Sequence, residues 1–327
     1  MDAPLLILDW NDPWQHLGVR DWNPPQRTAS GAGAVDLNTY MRALLESRIA
    51  APPPGRPGVD LSKVSTPSPP TDSGPDIKIF IAVTEVAQQA VLVFAEAAAD
   101  AAPPSVSIAL GGGAAHVCQR PTEALPDAAA VTHQAMIDNG AASLSQILAQ
   151  NVEPDRFMLD VVGLSQARFP YVHALLRATI LGANVFCLRM KQRFQVPRPS
   201  QVVWPKDHPH TPGAPVFERP PLLPLPAHSA FPGGHSFQCA AAAVVLDSLL
   251  RVTPALIGLP HERTALRKLS YLIGLNREHA GLHYRFDTDA GWAAGHWFAE
   301  RLLAVETDAR LPMFGHLFER ARYECKA

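Results

Sequence analysis

The residues of this sequence best suited to chemistry lie between Asn276 and Asp287, in Asn-Arg-Glu-His-Ala-Gly-Leu-His-Tyr-Arg-Phe-Asp. On a helix, positions four apart share a face, so Asp287 can hold one ring nitrogen of His283 and leave the other free for a metal or an electrophile. A carboxylate behind an imidazole fixes its tautomer and orientation, as is expected of a ligating or nucleophilic histidine. Arg277 is too far along the chain to reach that ring by local geometry, and suits an anionic group held at the same place. Arginine, histidine and aspartate at such spacings also decorate solvated helix faces, so the weight of the reading comes from upstream.

Two upstream segments carry it. The long apolar helix pattern from Tyr171 to about Arg193 ends in Lys191-Gln-Arg-Phe-Gln-Val-Pro-Arg198-Pro199. The prolines force the chain out of the helix, and Pro199 restricts Arg198 to an extended conformation, which points two cations into one space. Taken alone, the segment reads equally as a basic helix C-terminus favoured by the macrodipole. The second segment, His228-Ser-Ala-Phe-Pro232-Gly233-Gly234-His235, runs straight into an apolar helix. Glycines at a helix start let backbone amides approach an anion closely, and a histidine there can serve as acid or base. Together, Lys191, Arg198, the glycine turn, His235, Arg277 and His283 suit a pocket for a tetrahedral or trigonal-bipyramidal oxyanion.

The elements that must position these groups read as helices. Helical patterns cover Asp36–Ile49, Asp76–Asp100 (whose β-branched opening also reads as a short strand), Glu123–Asn139, Ala141–Asn151 and Asp155–Leu164. Gly111-Gly112-Gly113 marks a break without a phosphate-loop pattern. The interior of the Tyr171 helix, Ala178 to Leu188, has no charge and reads as a central core helix. A proline-rich loop from Gln201 to Leu225, with Trp204, His208 and His210, is long enough to be a wall or lid. Residues 1–75 read as an irregular arm with Trp10, Trp14 and Trp22, one short helix and a proline-rich linker; 76–327 read as the helical catalytic domain.

Composition excludes several classes. With 47% apolar and 18% charged residues a sizeable core is expected. A net charge of -2 argues against a nucleic-acid partner bound by bulk charge. Cys118, Cys187, Cys239 and Cys325 are scattered without a CxxC pair and read as reduced and buried. The acidic start does not resemble a signal peptide, and no stretch reaches the roughly 18 apolar residues expected of a membrane span. The expectation is a cytoplasmic protein with no membrane span, compatible with a homodimer.

In order and spacing, the three segments resemble the vanadium-dependent haloperoxidases and the lipid and acid phosphatases of the same superfamily. That family shows Lys, six residues, Arg-Pro; then Pro-Ser-Gly-His; then Ser-Arg, five residues, His, three residues, Asp. Lys191, Arg198 and Pro199 match the first; Pro232, Gly234 and His235 the second; Arg277, His283 and Asp287 the third. The resemblance spans Lys191 to about Gly295. Gly233 and Asn276 stand where the family has serines. A lost hydroxyl donor to a charged acceptor is worth about 1–3 kcal/mol.

The resemblance implies an all-α helical bundle of the haloperoxidase and acid phosphatase type with long proline-rich loops. It also implies that His283 is either the ligand of vanadate or the nucleophile that becomes phosphorylated. The run His283-Tyr-Arg-Phe-Asp287 is closer to the haloperoxidase style, and His228 falls where haloperoxidases line the halide side. The preferred expectation is therefore a vanadate cofactor on His283, held by Lys191, Arg198, Arg277 and the amides of Gly233 and Gly234. His235 would accept a proton from hydrogen peroxide, Lys191 would polarise the bound peroxide, and Asp287 would fix the ligating tautomer. The partners are then hydrogen peroxide, a halide and a small organic acceptor. The alternatives are a soluble phosphatase that takes phosphate through a phosphohistidine, and a non-catalytic oxyanion-binding member.

Overall fold

The computed structural model describes residues 75–95, 105–110, 116–120, 124–152, 154–161, 164, 166–207, 209, 212–251, 260–304 and 311–325. The expected arm and linker, with Trp10, Trp14, Trp22 and the Asp36–Ile49 helix, lie outside the described residues, as do His208 and His210.

The fold is all-α, as the resemblance implied, with one small sheet added. Helix α1 (Pro75–Gln89) passes into strand β1 (Ala90–Ala95), which pairs antiparallel with β2 (Ser105–Leu110), and β2 pairs antiparallel with β3 (His116–Gln119). The helix expected to continue to Asp100 therefore stops at Gln89, eleven residues before that boundary. Val91-Leu-Val-Phe94 is β-branched and aromatic, and Val91↔Ala109 through Phe94↔Val106 supply partners for such a pleated surface. In β2, Val106, Ile108 and Leu110 alternate into the core.

The patterns Glu123–Asn139 and Ala141–Asn151 are one helix, α2 (Leu125–Val152). Gly140, read as a break between them, is instead a point of close approach. A Cβ there would lie 2.8 Å from Leu222 Cδ1 and 2.9 Å from the His279 carbonyl. A short α3 (Pro154–Val161) leads to α4 (Pro170–Phe194) at the centre of the molecule, packed by α1, by α5 (Gly234–Arg251) and by α8 (Pro312–Glu324). Proline opens α4 at its first position, where no N–H is needed. Gln195 closes it in the left-handed conformation at φ 50°, its N–H returning to the Lys191 carbonyl. Arg198 then sits extended at ψ 152°, as Pro199 requires.

One expectation needs correcting here. By length and composition Pro170–Gln201 is long and apolar enough to cross a membrane, with mean hydropathy 1.4, although 72% of that window is buried inside the protein. Arg177 and Arg189 lie within that helix. In the fold Arg177 is accounted for by Asp155 at 2.8 Å.

Helices α6 (Pro260–His279) and α7 (Arg285–Ala304) complete the set, and α5 packs most extensively on α7. Their backbones nearly touch: a Cβ on Gly291 would collide with the Gly233 carbonyl, and one on Gly295 with that of Phe237. This seam fixes the start of α7, which carries Asp287, against the start of α5, which carries His235.

Candidate active site

His283 lies in the short connection between α6 and α7, buried to 5% exposure. Its Nδ1 is 2.9 Å from Asp287 Oδ2, which also accepts the Tyr284 N–H at 3.0 Å. Its Nε2 is 3.0 Å from Arg198 Nη1. An arginine only donates, so Nε2 is the acceptor and the ring proton sits on Nδ1, donated to Asp287. Burial lowers the imidazole well below its usual range, and Arg198 and Lys191 add to that, so the ring is neutral. Burial pushes the Asp287 carboxyl up, against the pull of Lys191 and Arg198. A neutral imidazole with its lone pair turned to a cationic pocket is the form a nucleophile or ligand needs.

The three expected cations line the same cavity as this ring, come from different elements, and each is anchored. Lys191, in the last turn of α4, donates to the carbonyls of Ser229 at 2.9 Å and Ala230 at 2.6 Å. Two of its three protons are thereby used. Burial draws its ammonium below the usual range, and the nearby Arg198 adds to that. Arg198 donates to the Leu282 carbonyl at 2.8 Å and to the His228 carbonyl at 3.3 Å. Arg277 donates to the Ile147 carbonyl at 2.8 Å and to Asn151 Oδ1 at 3.2 Å, and its Nε finds no acceptor among the described residues.

The start of α5 is divided between structure and site. Gly233 was expected to offer its amide to the anion, but that N–H donates to the Asp287 carbonyl at 2.7 Å. The backbone of α7 lies against it, so this correction follows from the seam. Gly234 lines the cavity, and as the first residue of α5 its N–H has no partner within the helix. His235 lines the cavity too, and burial with the Arg277 and Lys191 charges lowers it to about 3.

His228 was read as a halide-side group. Its Nδ1 lies 3.1 Å from Arg198 Nη2, which places it among the anchors of that arginine. Burial with Lys191 and Arg198 lowers it to about 3. Asn276, which stands where the resembled family has serine beside the arginine, turns away from the cavity. Its Nδ2 donates to Gln150 Oε1 at 2.9 Å and ties α6 to α2. Asn276 is not among the cavity-lining residues. Tyr284, Arg285 and Phe286, whose pattern favoured a haloperoxidase, also face elsewhere. The Tyr284 hydroxyl donates to the Pro197 carbonyl, Arg285 pairs with Glu278 at 2.9 Å, and Phe286 stacks on Tyr284.

These groups surround one cavity of about 130 Å³, which Lys191, Arg198, His228, Gly234, His235, Arg277 and His283 all line. Sequence reasoning missed Asn184, Gln238 and Asn151, which line it as well. Asn184 carried a legible signal: an amide in the uncharged stretch of α4, two turns before Lys191 on the same face. Three cations, a free helix-start amide and a neutral histidine fit a tetrahedral oxyanion.

The fold and site thus define a cavity lined by three cations and three histidines in a helical bundle. No protein-family model matches the chain, and no curated protein matches it. Among solved structures the chain is similar to a transmembrane PAP2 type phosphatidylglycerolphosphate phosphatase from Bacillus subtilis, at 16% identity and a TM-score of 0.32. That alignment covers 57% of this chain and 93% of the other.

Proposed function

We propose that this protein is a phosphatase that hydrolyses phosphomonoesters through a phosphohistidine at His283. The observation that carries this reading is the Asp287–His283–Arg198 line, a proton on Nδ1 and a lone pair on Nε2 aimed at a guanidinium. The haloperoxidase reading rested on the run 283–287 with Gly291 and Gly295, on His228 and on the absence of a membrane span; Tyr284, Arg285 and Phe286 are engaged away from the cavity, while His228 lines it beside Arg198.

In the proposed reaction, the phosphoryl group enters against Arg198, Arg277, Lys191 and the Gly234 amide. Arg198 transfers its hydrogen bond from Nε2 to a phosphoryl oxygen, and Nε2 attacks phosphorus in line. The bond from phosphorus to the ester oxygen breaks, and that oxygen takes a proton from His235. Burial first, and then the surrounding cations, hold His235 neutral. An incoming dianion offsets those charges and favours its protonated form. Water then attacks phosphorus, gives its proton back to His235, and the P–N bond breaks to release phosphate and free imidazole. Asp287 stabilises the imidazole throughout without exchanging the proton it holds in place. Vanadate, as a five-coordinate mimic of this transition state, should bind the same groups.

The test is to react the protein with a labelled phosphomonoester and quench it. An alkali-stable, acid-labile phosphoenzyme absent in His283→Ala is expected. No phosphoenzyme and no hydrolysis, with vanadate-dependent bromide oxidation by hydrogen peroxide in the same preparation, would overturn the reading.

A further inference from the structure

Besides the cations and histidines, the carboxamides of Asn184 and Gln238 line the cavity. The last turns of α4 pack on the segment that leads into α5: Cys187 Sγ lies 3.7 Å from the Pro232 carbonyl, and Lys191 donates to the carbonyls of Ser229 and Ala230. A Cβ on Gly234 would lie 3.7 Å from Lys191 Cε and 3.9 Å from Cys187 Sγ. Asn184 lies one turn before Cys187 in α4 and Gln238 one turn after Gly234 in α5, and both line the cavity. Both are half-buried, so their amides are open to a ligand in the cavity.

We propose that Asn184 and Gln238 form a leaving-group subsite that selects small, hydroxyl-bearing phosphomonoesters. The inference rests on the phosphatase reading above and names its substrate class. A carboxamide offers both a donor and an acceptor, and a hydroxyl both donates and accepts, so one polyol can satisfy each amide fully. An alkyl chain in the same place would desolvate both amides and pair neither, and a site built for a hydroxyl discriminates strongly against the analogue that lacks it. The volume agrees: about 130 Å³ accommodates a phosphoryl group with a short substituent and is well below the roughly 300 Å³ at which pockets for larger ligands begin.

The experiment compares glycerol 3-phosphate with propyl phosphate, which has the same carbon chain without hydroxyls. The wild type should prefer glycerol 3-phosphate in kcat/KM by roughly 10- to 100-fold, the range expected for two hydrogen bonds. In Asn184→Leu and Gln238→Met that ratio should fall several-fold each, and in the double variant to near one. Thermal unfolding midpoints confirm that the variants fold. A wild-type ratio near one, or a preference that survives in the double variant, overturns the subsite. If neither ester is hydrolysed while vanadate still binds, the phosphatase reading fails instead. The subsite is then judged by displacement of bound vanadate, where glycerol 3-phosphate should compete better than propyl phosphate only with both amides present.

Discussion

Substituting His283 and His235 one at a time separates holding the oxyanion from turning it over. His283→Ala should lose tight vanadate binding as well as all phosphoenzyme, because Nε2 is the atom aimed into the pocket. His235→Ala should keep vanadate affinity within a few-fold and slow turnover by roughly 10²–10⁴, the usual contribution of a general acid. Calorimetric titration with vanadate decides it: equal affinities in wild type and His283→Ala would refute the assignment. Gly233 is the other informative residue, and here structure reverses what the motif suggests. Restoring the family serine appears harmless on paper, since Gly233 does not adopt a positive φ. Yet a Cβ there would sit 2.8 Å from the Asp287 carbonyl oxygen, which is backbone and has little freedom to yield. Gly233→Ser should therefore destabilise the fold by about 1–3 kcal/mol, in line with overpacking elsewhere, and gain no affinity for vanadate. Urea titration of the variant settles the point, and an unchanged midpoint with tighter vanadate binding would contradict it.

Among the elements, the contact of α6 with α2 has the most direct bearing on the pocket, because it aims Arg277. Asn276 donates to Gln150, while its neighbour Arg277 reaches the Ile147 carbonyl and Asn151 on the same helix. Asn276→Ser would be too short to reach Gln150 and should cost about 1–3 kcal/mol for the buried amide left unpaired. It should also weaken phosphate binding several-fold without changing the bond order of events at His283. A denaturation curve together with a phosphate titration checks both; a neutral result would show that α2 does not position Arg277. The same elements show what could be read in advance. Lys191, Arg198, His235, Arg277 and His283 were legible because each motif carries local chemistry, a helix end, a proline turn or an i,i+4 pair. The commitment of the Gly233 amide to Asp287, and of Asn276 to Gln150, was not legible. Both depend on which helix lies across the position, over separations of 54 and 126 residues respectively. The strand at Ala90–Ala95 was missed for the same reason, since its preference is decided by a partner strand.

At the scale of the whole molecule the burial of so many ionisable groups couples stability to pH. His235 is lowered to about 3 from an unfolded value near 6.5. A depressed histidine contributes stability that is present above 6.5 and lost as pH falls toward 3, because only the unfolded chain takes up the proton. Asp289, pushed up to about 7 mainly by burial, has the opposite sign between about 3.8 and 7. The two are separated by difference: His235→Gln should lose less stability on acidification than wild type, by up to about 1.4 kcal/mol per pH unit inside that window. Parallel acid limbs in urea denaturation of the two proteins would show that His235 is already protonated in the fold. The glycine seam between α5 and α7 has a consequence of another kind, for folding. With carbonyl backbone of one helix lying where side chains of the other would be, no partly packed arrangement of the pair can persist with a looser fit. The His283 and His235 ends of the pocket therefore come into being in the same cooperative event, and no intermediate should hold half of a working site.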